Sequence, residues 1–141
     1  MVSLRARLGR LVVWKVFNMN PEGGKSFAEV TEMVSDYGEK VKKGFVRSVE
    51  TSKSGLKFER IKPESGDNGK LVLYFHGGGY TAGLSQAYRY QACDMSNAAH
   101  RAQCILPDYS LAPDAKYPTQ HNEAYAFWND VLEMGFKPKD I

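Results

Sequence analysis

The stretch KLVLYFHGGGYTAG, residues 70–83, decides the fold of this chain. Residues 71–75 are all apolar, and a strand without alternation of polar and apolar residues is typical of a sheet that helices cover on both faces. Gly77, Gly78 and Gly79 follow almost directly. Glycine loses the most conformational entropy on folding, so three in succession predict a tight turn or a backbone that approaches an anion closely. Either use predicts a loop at the carboxyl end of a strand, where open α/β sheets bind ligands.

Short predicted elements surround this strand. FVRSVET and LKFERIK, on either side of SKSG, predict a hairpin over residues 45–62. The glycines are followed by a helical pattern from Ser85 to His100, by a short strand within QCILPDY, residues 103–109, and by a helix over residues 119–134. The apolar side of that last helix is predicted to consist of Tyr125, Trp128 and Leu132. The order strand, helix, strand, helix after the hairpin predicts an α/β fold.

Two amphipathic helices are predicted before the hairpin. The first, over residues 4–12, is basic. We favour its packing on the protein body over contact with a membrane surface, because Lys15 interrupts the apolar face. The second helix begins at the capping box SFAE, residues 26–29, and is expected to end near Gly44.

Composition excludes several classes of function. The 141 residues are 43% hydrophobic and 25% charged, which is ordinary for one globular domain. A net charge of +3, from 19 basic and 16 acidic residues dispersed along the chain, argues against nucleic-acid binding. No apolar run reaches the about 18 residues of a membrane span. The amino terminus lacks the cleavage pattern of a signal peptide, so we expect a cytoplasmic protein.

The two cysteines, Cys93 and Cys104, are predicted to be buried free thiols. They do not form a CxxC motif, and no histidine lies at the spacing that zinc sites use. We therefore expect neither a metal site nor a cofactor.

Two phosphate-binding motifs compete for the glycines, and both fit poorly. The dinucleotide fingerprint GxGxxG needs spaced glycines and an acidic residue about 20 positions further on, whereas these glycines are adjacent and Asp108 comes later than that. A Walker A loop needs GK[ST] after the glycines, and that sequence is absent. The HGGG element of lipases and esterases does match, and it supplies backbone N–H groups to an oxyanion hole.

The sequence resembles the amino-terminal half of the hormone-sensitive-lipase-like family of α/β-hydrolases. The resemblance rests on YFHGGGYTAGLS, residues 74–85, and on DYSLAPDAKYP, residues 108–118, in that order. It covers residues 45–141 and implies the amino-terminal part of an α/β-hydrolase sheet: a hairpin plus parallel strands with flanking helices, in strand order 1-2-4-3-5. Residues 1–44 would then form a helical cap region of two cap-type helices.

The resemblance also implies roles for individual residues. Backbone N–H groups would bind the substrate oxyanion, those of Gly78 and Gly79 directly, while Gly77 would allow the sharp turn. His76 and Asp108 would support the loop without acting as catalytic residues. Tyr80 would border the substrate pocket. A role in side-chain packing alone is an equally favoured alternative for Tyr80.

The second motif departs from the family pattern at two positions. Ser110 stands where the family has Arg, and Asp114 where it has Glu. An ion pair in this segment is therefore not carried over to this chain. The turn set by Pro113 and Pro118 is expected to persist.

No catalytic triad is predicted within the chain. The 141 residues contain no GxSxG motif, so the nucleophile, acid and base are expected beyond Ile141. The nearest sequence is GLSQA, residues 83–87, but Ser85 follows the glycine loop instead of a strand and is predicted to cap the next helix. His100 and His121 are predicted to be surface or structural residues.

The implied function is serine-type hydrolysis of a small-molecule carboxylic ester, with this chain carrying the oxyanion-hole half and inactive alone. An alternative from another class is a non-catalytic remnant, or one part of a split protein that acts as an association module. Strand 70–75 would lie between strand 103–107 and a fifth strand. Without that neighbour, we expect its apolar edge to self-associate or to bind a complementary fragment.

Overall fold

The computed structural model describes residues 38–141, so the helices predicted within residues 1–37 lie outside the described residues. The prediction that the second helix continues to near Gly44 is wrong, because the chain from Gly38 to Gly44 contains no helix. Gly38 has φ of +75°, outside the helical region. Val41 packs against a cluster of buried residues that includes Ile61 and Cys104. Its apolar character therefore reflects core packing and not a helical stripe.

The predicted hairpin is confirmed. Strand β1, Phe45–Thr51, pairs antiparallel with strand β2, Lys57–Pro63. The connection closes where the N–H of Ser52 donates to the carbonyl of Leu56 at 2.9 Å. Gly55 has φ of +89° in this turn, a conformation that glycine adopts without steric cost.

The sheet has four strands in the order β1-β2-β4-β3 within the described residues. Strand β4, Gln103–Pro107, pairs antiparallel with β2 and parallel with strand β3, Leu71–Leu73. Every residue of β4 is buried. The predicted placement of strand 103–107 beside strand 70–75 is thereby confirmed, and the α/β-hydrolase fold class with it.

Strand β3 is shorter than the predicted strand over residues 70–75. After it, one further bond joins the strands, from the N–H of Tyr74 to the carbonyl of Ile105 at 2.8 Å. The chain then turns into the glycines, and Phe75 is 38% exposed. Within residues 38–141, β3 is the outer strand of the sheet.

Helices cover both faces of the sheet. Helix α1, Gln86–Ala98, contributes Ala92 and Cys93 to a core cluster with Cys104 and Leu106 of β4. Helix α2, Thr119–Glu133, contributes Phe127 and Val131 to a second cluster with Ile105. Because successive side chains of a strand point to opposite faces, these two clusters lie on opposite sides of β4. A short 3₁₀ helix, Pro138–Asp140, follows α2.

The apolar side of α2 differs from the prediction. Tyr125 is 71% exposed, whereas Phe127 and Val131 are fully buried. Phe127 meets Phe58 of β2 edge to face, with ring centroids 5.3 Å apart. Aromatic and aliphatic residues occur on several sides of this helix, and only its packing on the sheet selects which of them becomes core.

A buried ion cluster, which we call the Glu59 cluster, ties the hairpin to α1. The carboxylate of Glu59 accepts hydrogen bonds from Nε and Nη2 of Arg89, both at 2.7 Å, and from Nη2 of Arg47 at 2.7 Å. Arg89 also donates to the carbonyl of Gly38 at 2.9 Å. Burial alone would raise the pKa of Glu59, but the hydrogen bonds from Arg89 and Arg47 outweigh it and lower the pKa. Glu59 is therefore ionised at neutral pH.

The prediction of two buried free thiols is confirmed for Cys93 and Cys104. Burial raises the pKa of Cys104 to about 12, and its Sγ donates to the carbonyl of Ala92 at 3.1 Å. Among residues 38–141 no group of three His, Cys, Asp or Glu side chains is arranged to hold a metal ion. In the same range, none of the helices has the length and apolar character needed to span a membrane.

Candidate active site

The glycine loop, residues 76–83, departs from ordinary backbone geometry at three successive positions. φ is +124° at Gly78, +61° at Gly79 and +61° at Tyr80. A Cβ on Gly78 would lie 2.6 Å from the Cβ of Ala82, whereas a Cβ on Gly77 would meet only the Tyr88 hydroxyl, at 3.5 Å. Glycine is therefore required most strongly at Gly78. The resemblance had implied that the sharp turn lies at Gly77.

Hydrogen bonds inside the loop orient its peptide groups. The carbonyl of Gly78 accepts from the N–H groups of Thr81 and Ala82, both at 3.1 Å, and from the Thr81 hydroxyl at 3.1 Å. In a trans peptide the N–H points opposite to the C=O, so the N–H of Gly79 points out of this turn. The backbone N–H groups of Gly77, Gly78 and Gly79 donate to no acceptor within residues 38–141.

His76 lies beneath the loop and is 3% exposed. Its ring stacks on Tyr109, with centroids 4.4 Å apart and planes 11° apart. Nδ1 lies 2.8 Å from the carbonyl of Gly77, so the proton on Nδ1 donates to that carbonyl. Burial lowers the pKa of His76, against the opposing effect of the Gly77 hydrogen bond, and this favours the neutral ring. Nε2 has no partner among the described residues and is left as an acceptor.

The DYSLAP loop, residues 108–118, runs alongside the glycine loop. The hydroxyl of Tyr109 donates to the carbonyl of His76 at 2.5 Å, and the N–H of Ala112 donates to the carbonyl of Tyr80 at 2.7 Å. The predicted turn is present, and the peptide bonds before its two prolines, Pro113 and Pro118, are both cis. The two sequence motifs are thus in direct contact.

Three residues of the DYSLAP loop have surroundings that the sequence could not specify. Asp108 is exposed; its N–H donates to the carbonyl of Lys57 at 2.9 Å, and its carboxylate makes no hydrogen bond within the described range. Asp114 is exposed as well. Ser110, which replaces the family's Arg, donates through N–H and hydroxyl to Glu123 of α2. Glu123 carried no motif in the sequence.

A cavity of about 450 Å³ opens between the glycine loop and the start of α2. Three predicted site groups line it together: the glycines, His76 and Tyr80. The wall also contains residues that sequence reasoning missed or placed elsewhere, namely Phe75, Tyr109, Gln120, His121 and Ala124. Positions 120, 121 and 124 lie on one side of a helix by their spacing. This spacing was the signal in the sequence that could have indicated a shared surface.

A second cavity of about 390 Å³ adjoins the first and shares Tyr80, Gln120 and His121 with it. His121 contacts Tyr117 edge to face, at 5.1 Å between centroids. His121, predicted to be a surface or structural residue, therefore lies on the wall of both cavities, while Asp108 and His100 line neither.

Ser85 occupies the N-cap position of α1, as predicted, with extended backbone at φ −118°. Its side chain makes no capping hydrogen bond, so the predicted bond is wrong. Ser85 is buried and does not line the cavity at the glycine loop. Its position gives it no access to a substrate in that cavity.

Comparison with known proteins finds similar sequences and similar folds. The sequence pattern of the alpha/beta hydrolase fold family matches residues 72–141. A protein of Mycobacterium tuberculosis with the provisional name acetyl-hydrolase LipR is 32% identical over 102 residues, which are 72% of this chain and 32% of that protein. An esterase of Acinetobacter venetianus is 31% identical over 88 residues, 62% of this chain and 28% of the esterase.

The crystal structure of an esterase from the bacterial hormone-sensitive lipase family is similar to the chain with a TM-score of 0.73. That likeness covers 100% of this chain and 47% of the other, at 20% identity, and it concerns the fold. The chain spans about a third of the length of the two relatives above. The matched sequence pattern, the relatives and the sheet agree, and this chain belongs to the alpha/beta hydrolase fold family, resembling its hormone-sensitive-lipase-like esterases.

Proposed function

We propose that this chain contributes the oxyanion-hole half of a serine-type carboxylic ester hydrolase. The observation that carries the proposal is the set of three glycine N–H groups that have no acceptor among residues 38–141, on the wall of a cavity of about 450 Å³. Unpaired backbone donors beside a cavity are costly unless they meet water or a ligand, and an ester oxygen that gains negative charge is a suitable acceptor. The names of two relatives, acetyl-hydrolase and esterase, support an ester as the substrate.

The reaction assigns this chain one defined task. A serine hydroxyl attacks the ester carbonyl carbon while a histidine takes its proton, and the carbonyl oxygen becomes an oxyanion. The N–H groups of Gly78 and Gly79 stabilise that oxyanion. Collapse of the tetrahedral intermediate expels the alcohol, and water then releases the acid from the acyl-enzyme. The serine, histidine and acid would come from outside these 141 residues, which contain no GxSxG motif.

The experiment compares two proteins in the hydrolysis of p-nitrophenyl acetate. One is the 141-residue chain; the other, here called the chimeric enzyme, joins the chain to the remaining segment of an esterase relative chosen because that segment carries a GxSxG motif. We expect activity only in the chimeric enzyme, since an oxyanion hole without a nucleophile forms no acyl-enzyme.

Two outcomes contradict this assignment. A folded chimeric enzyme without activity would show that the glycine loop does not support ester hydrolysis. Hydrolysis by the chain alone that disappears in Ser85→Ala would make Ser85 a nucleophile and reject its place as a buried helix-terminal residue.

We also propose that the free edge of β3 binds another strand, from a complementary segment or from a second copy of the chain. The supporting observation is that β3 is the outer strand within residues 38–141, with Phe75 exposed beyond it. Size-exclusion chromatography with light scattering is expected to show dimers or larger species at micromolar concentration. A monomer in which the Val72 and Leu73 amides resist hydrogen exchange would contradict the proposal.

A further inference from the structure

The DYSLAP loop holds the glycine loop at two points, one on each side of the three glycines. Before the glycines, the Tyr109 hydroxyl donates to the carbonyl of His76, at 2.5 Å. After them, the Ala112 N–H donates to the carbonyl of Tyr80, at 2.7 Å. Both acceptors are backbone carbonyls, so each bond fixes a peptide plane. Because N–H and C=O are antiparallel in a trans peptide, fixing the carbonyl of His76 also fixes the direction of the Gly77 N–H.

The DYSLAP loop is in turn fixed to helix α2 through Ser110, which lies between those two tethers. Its N–H donates to Oε2 of Glu123 at 2.8 Å, and its hydroxyl donates to Oε1 of the same carboxylate at 2.5 Å. Hydrogen bonds to an ionised carboxylate are stronger than neutral ones. Glu123 lies on the same helix as Gln120 and Ala124, which line the cavity. One residue pair therefore joins the loop to the helix that forms the opposite cavity wall.

We propose that Ser110 and Glu123 are a positioning pair for the glycine loop. Neither residue lines the cavity, so they act through the Tyr109 and Ala112 tethers and not on a substrate. The pair holds the DYSLAP loop at a set distance from α2, and the tethers transfer that position to the glycine N–H groups. The effect on catalysis rests on the proposed function; the effect on the loop does not.

Hydrogen exchange of the 141-residue chain, followed by mass spectrometry of its peptides, tests the effect on the loop. In Ser110→Ala we expect about tenfold faster exchange in peptides that cover residues 77–83 and 110–113, where the Thr81, Ala82 and Ala112 amides are bonded. Peptides from β4 should exchange at the wild-type rate. Ser110→Thr keeps a hydroxyl and should restore slow exchange.

The matched control is Ser48→Ala. Ser48 also donates its hydroxyl to a glutamate, Glu50, at 2.7 Å, but on the exposed hairpin. This change should leave peptides 77–83 and 110–113 unaffected. Unchanged exchange in Ser110→Ala would overturn the proposal. Equal acceleration in the loop peptides and in β4 would also overturn it, because the pair would then contribute only to global stability.

Kinetics of the chimeric enzyme test the consequence for catalysis. Ser110→Ala is expected to lower kcat about tenfold with KM unchanged, since misdirected N–H groups lose transition-state contacts more than ground-state ones. Ser110→Thr should restore kcat. A rise in KM alone would overturn the positioning role. An inactive chimeric enzyme combined with the expected exchange pattern would reject the proposed function while supporting the positioning of the loop.

Discussion

Gly78→Ala is expected to lower the kcat of the chimeric enzyme by about a hundredfold or more, with the protein still folded. A Cβ at this position would lie 2.6 Å from the Cβ of Ala82 and 2.9 Å from its carbonyl oxygen, at a φ of +124° that side chains rarely adopt. The backbone must shift to relieve these contacts. The N–H groups of Gly78 and Gly79 then leave the position of the oxyanion, and the transition state loses preorganised donors.

Gly77→Ala is the matched control, because the added methyl would meet only the Tyr88 hydroxyl at an ordinary 3.5 Å. We expect its kcat to stay within a few-fold of wild type. Steady-state kinetics with p-nitrophenyl acetate and circular dichroism of both variants provide the comparison. Equal losses in the two variants, both folded, would mean that the geometry at Gly78 has no special part in catalysis.

Glu59→Ala is expected to destabilise the chain by about 3–5 kcal/mol, because it leaves the buried Arg89 without the carboxylate that it binds and leaves Arg47 with the exposed Glu39. Glu59 is 5% exposed, and its carboxylate is the acceptor for three N–H donors of Arg89 and Arg47. Urea denaturation of wild type and variant gives the free energy of unfolding.

Glu50→Ala is the control for the Glu59 change. Glu50 also accepts two N–H groups, from Arg60, but its side chain is 36% exposed, so we expect a loss of about 1 kcal/mol or less. The contribution of Glu59 also depends on pH. The pKa of Glu59 lies below its ordinary value of 4.5, so its stabilisation is present above about pH 4.5 and declines as pH falls through the folded pKa. Similar losses in both variants would contradict a special role for the buried cluster.

Elements defined by local pattern could be predicted from the sequence. The glycine-containing turn SKSG between two runs of β-forming residues predicts the hairpin, and QCILP predicts a short strand. The side of α2 that faces the core could not be predicted in this way. Tyr125 and Phe127 are both aromatic, and packing against Phe58 and Ile105 of the sheet makes Phe127 the buried one.

The candidate site was predictable where backbone geometry dictates residue type. Three adjacent glycines indicate an unusual loop, and the structure places positive φ at two of them, Gly78 and Gly79. Side chains that reach the site from another element gave no such signal. His121 lies more than 40 positions from the glycines, and its place on the cavity wall depends on how α2 packs on the sheet. The role of Glu123 depends on the same packing.

The central position of β4 has a consequence for the order in which the molecule can assemble. The β1–β2 hairpin closes through contacts that are local in sequence, whereas β3 has no strand partner within residues 38–141 other than β4, which begins 30 positions later. β4 also completes the antiparallel pairing with β2. During synthesis the sheet therefore stays in two separate parts until Pro107 has left the ribosome. Because contacts of high sequence separation slow folding, we infer that docking of this one strand limits the rate at which the sheet forms.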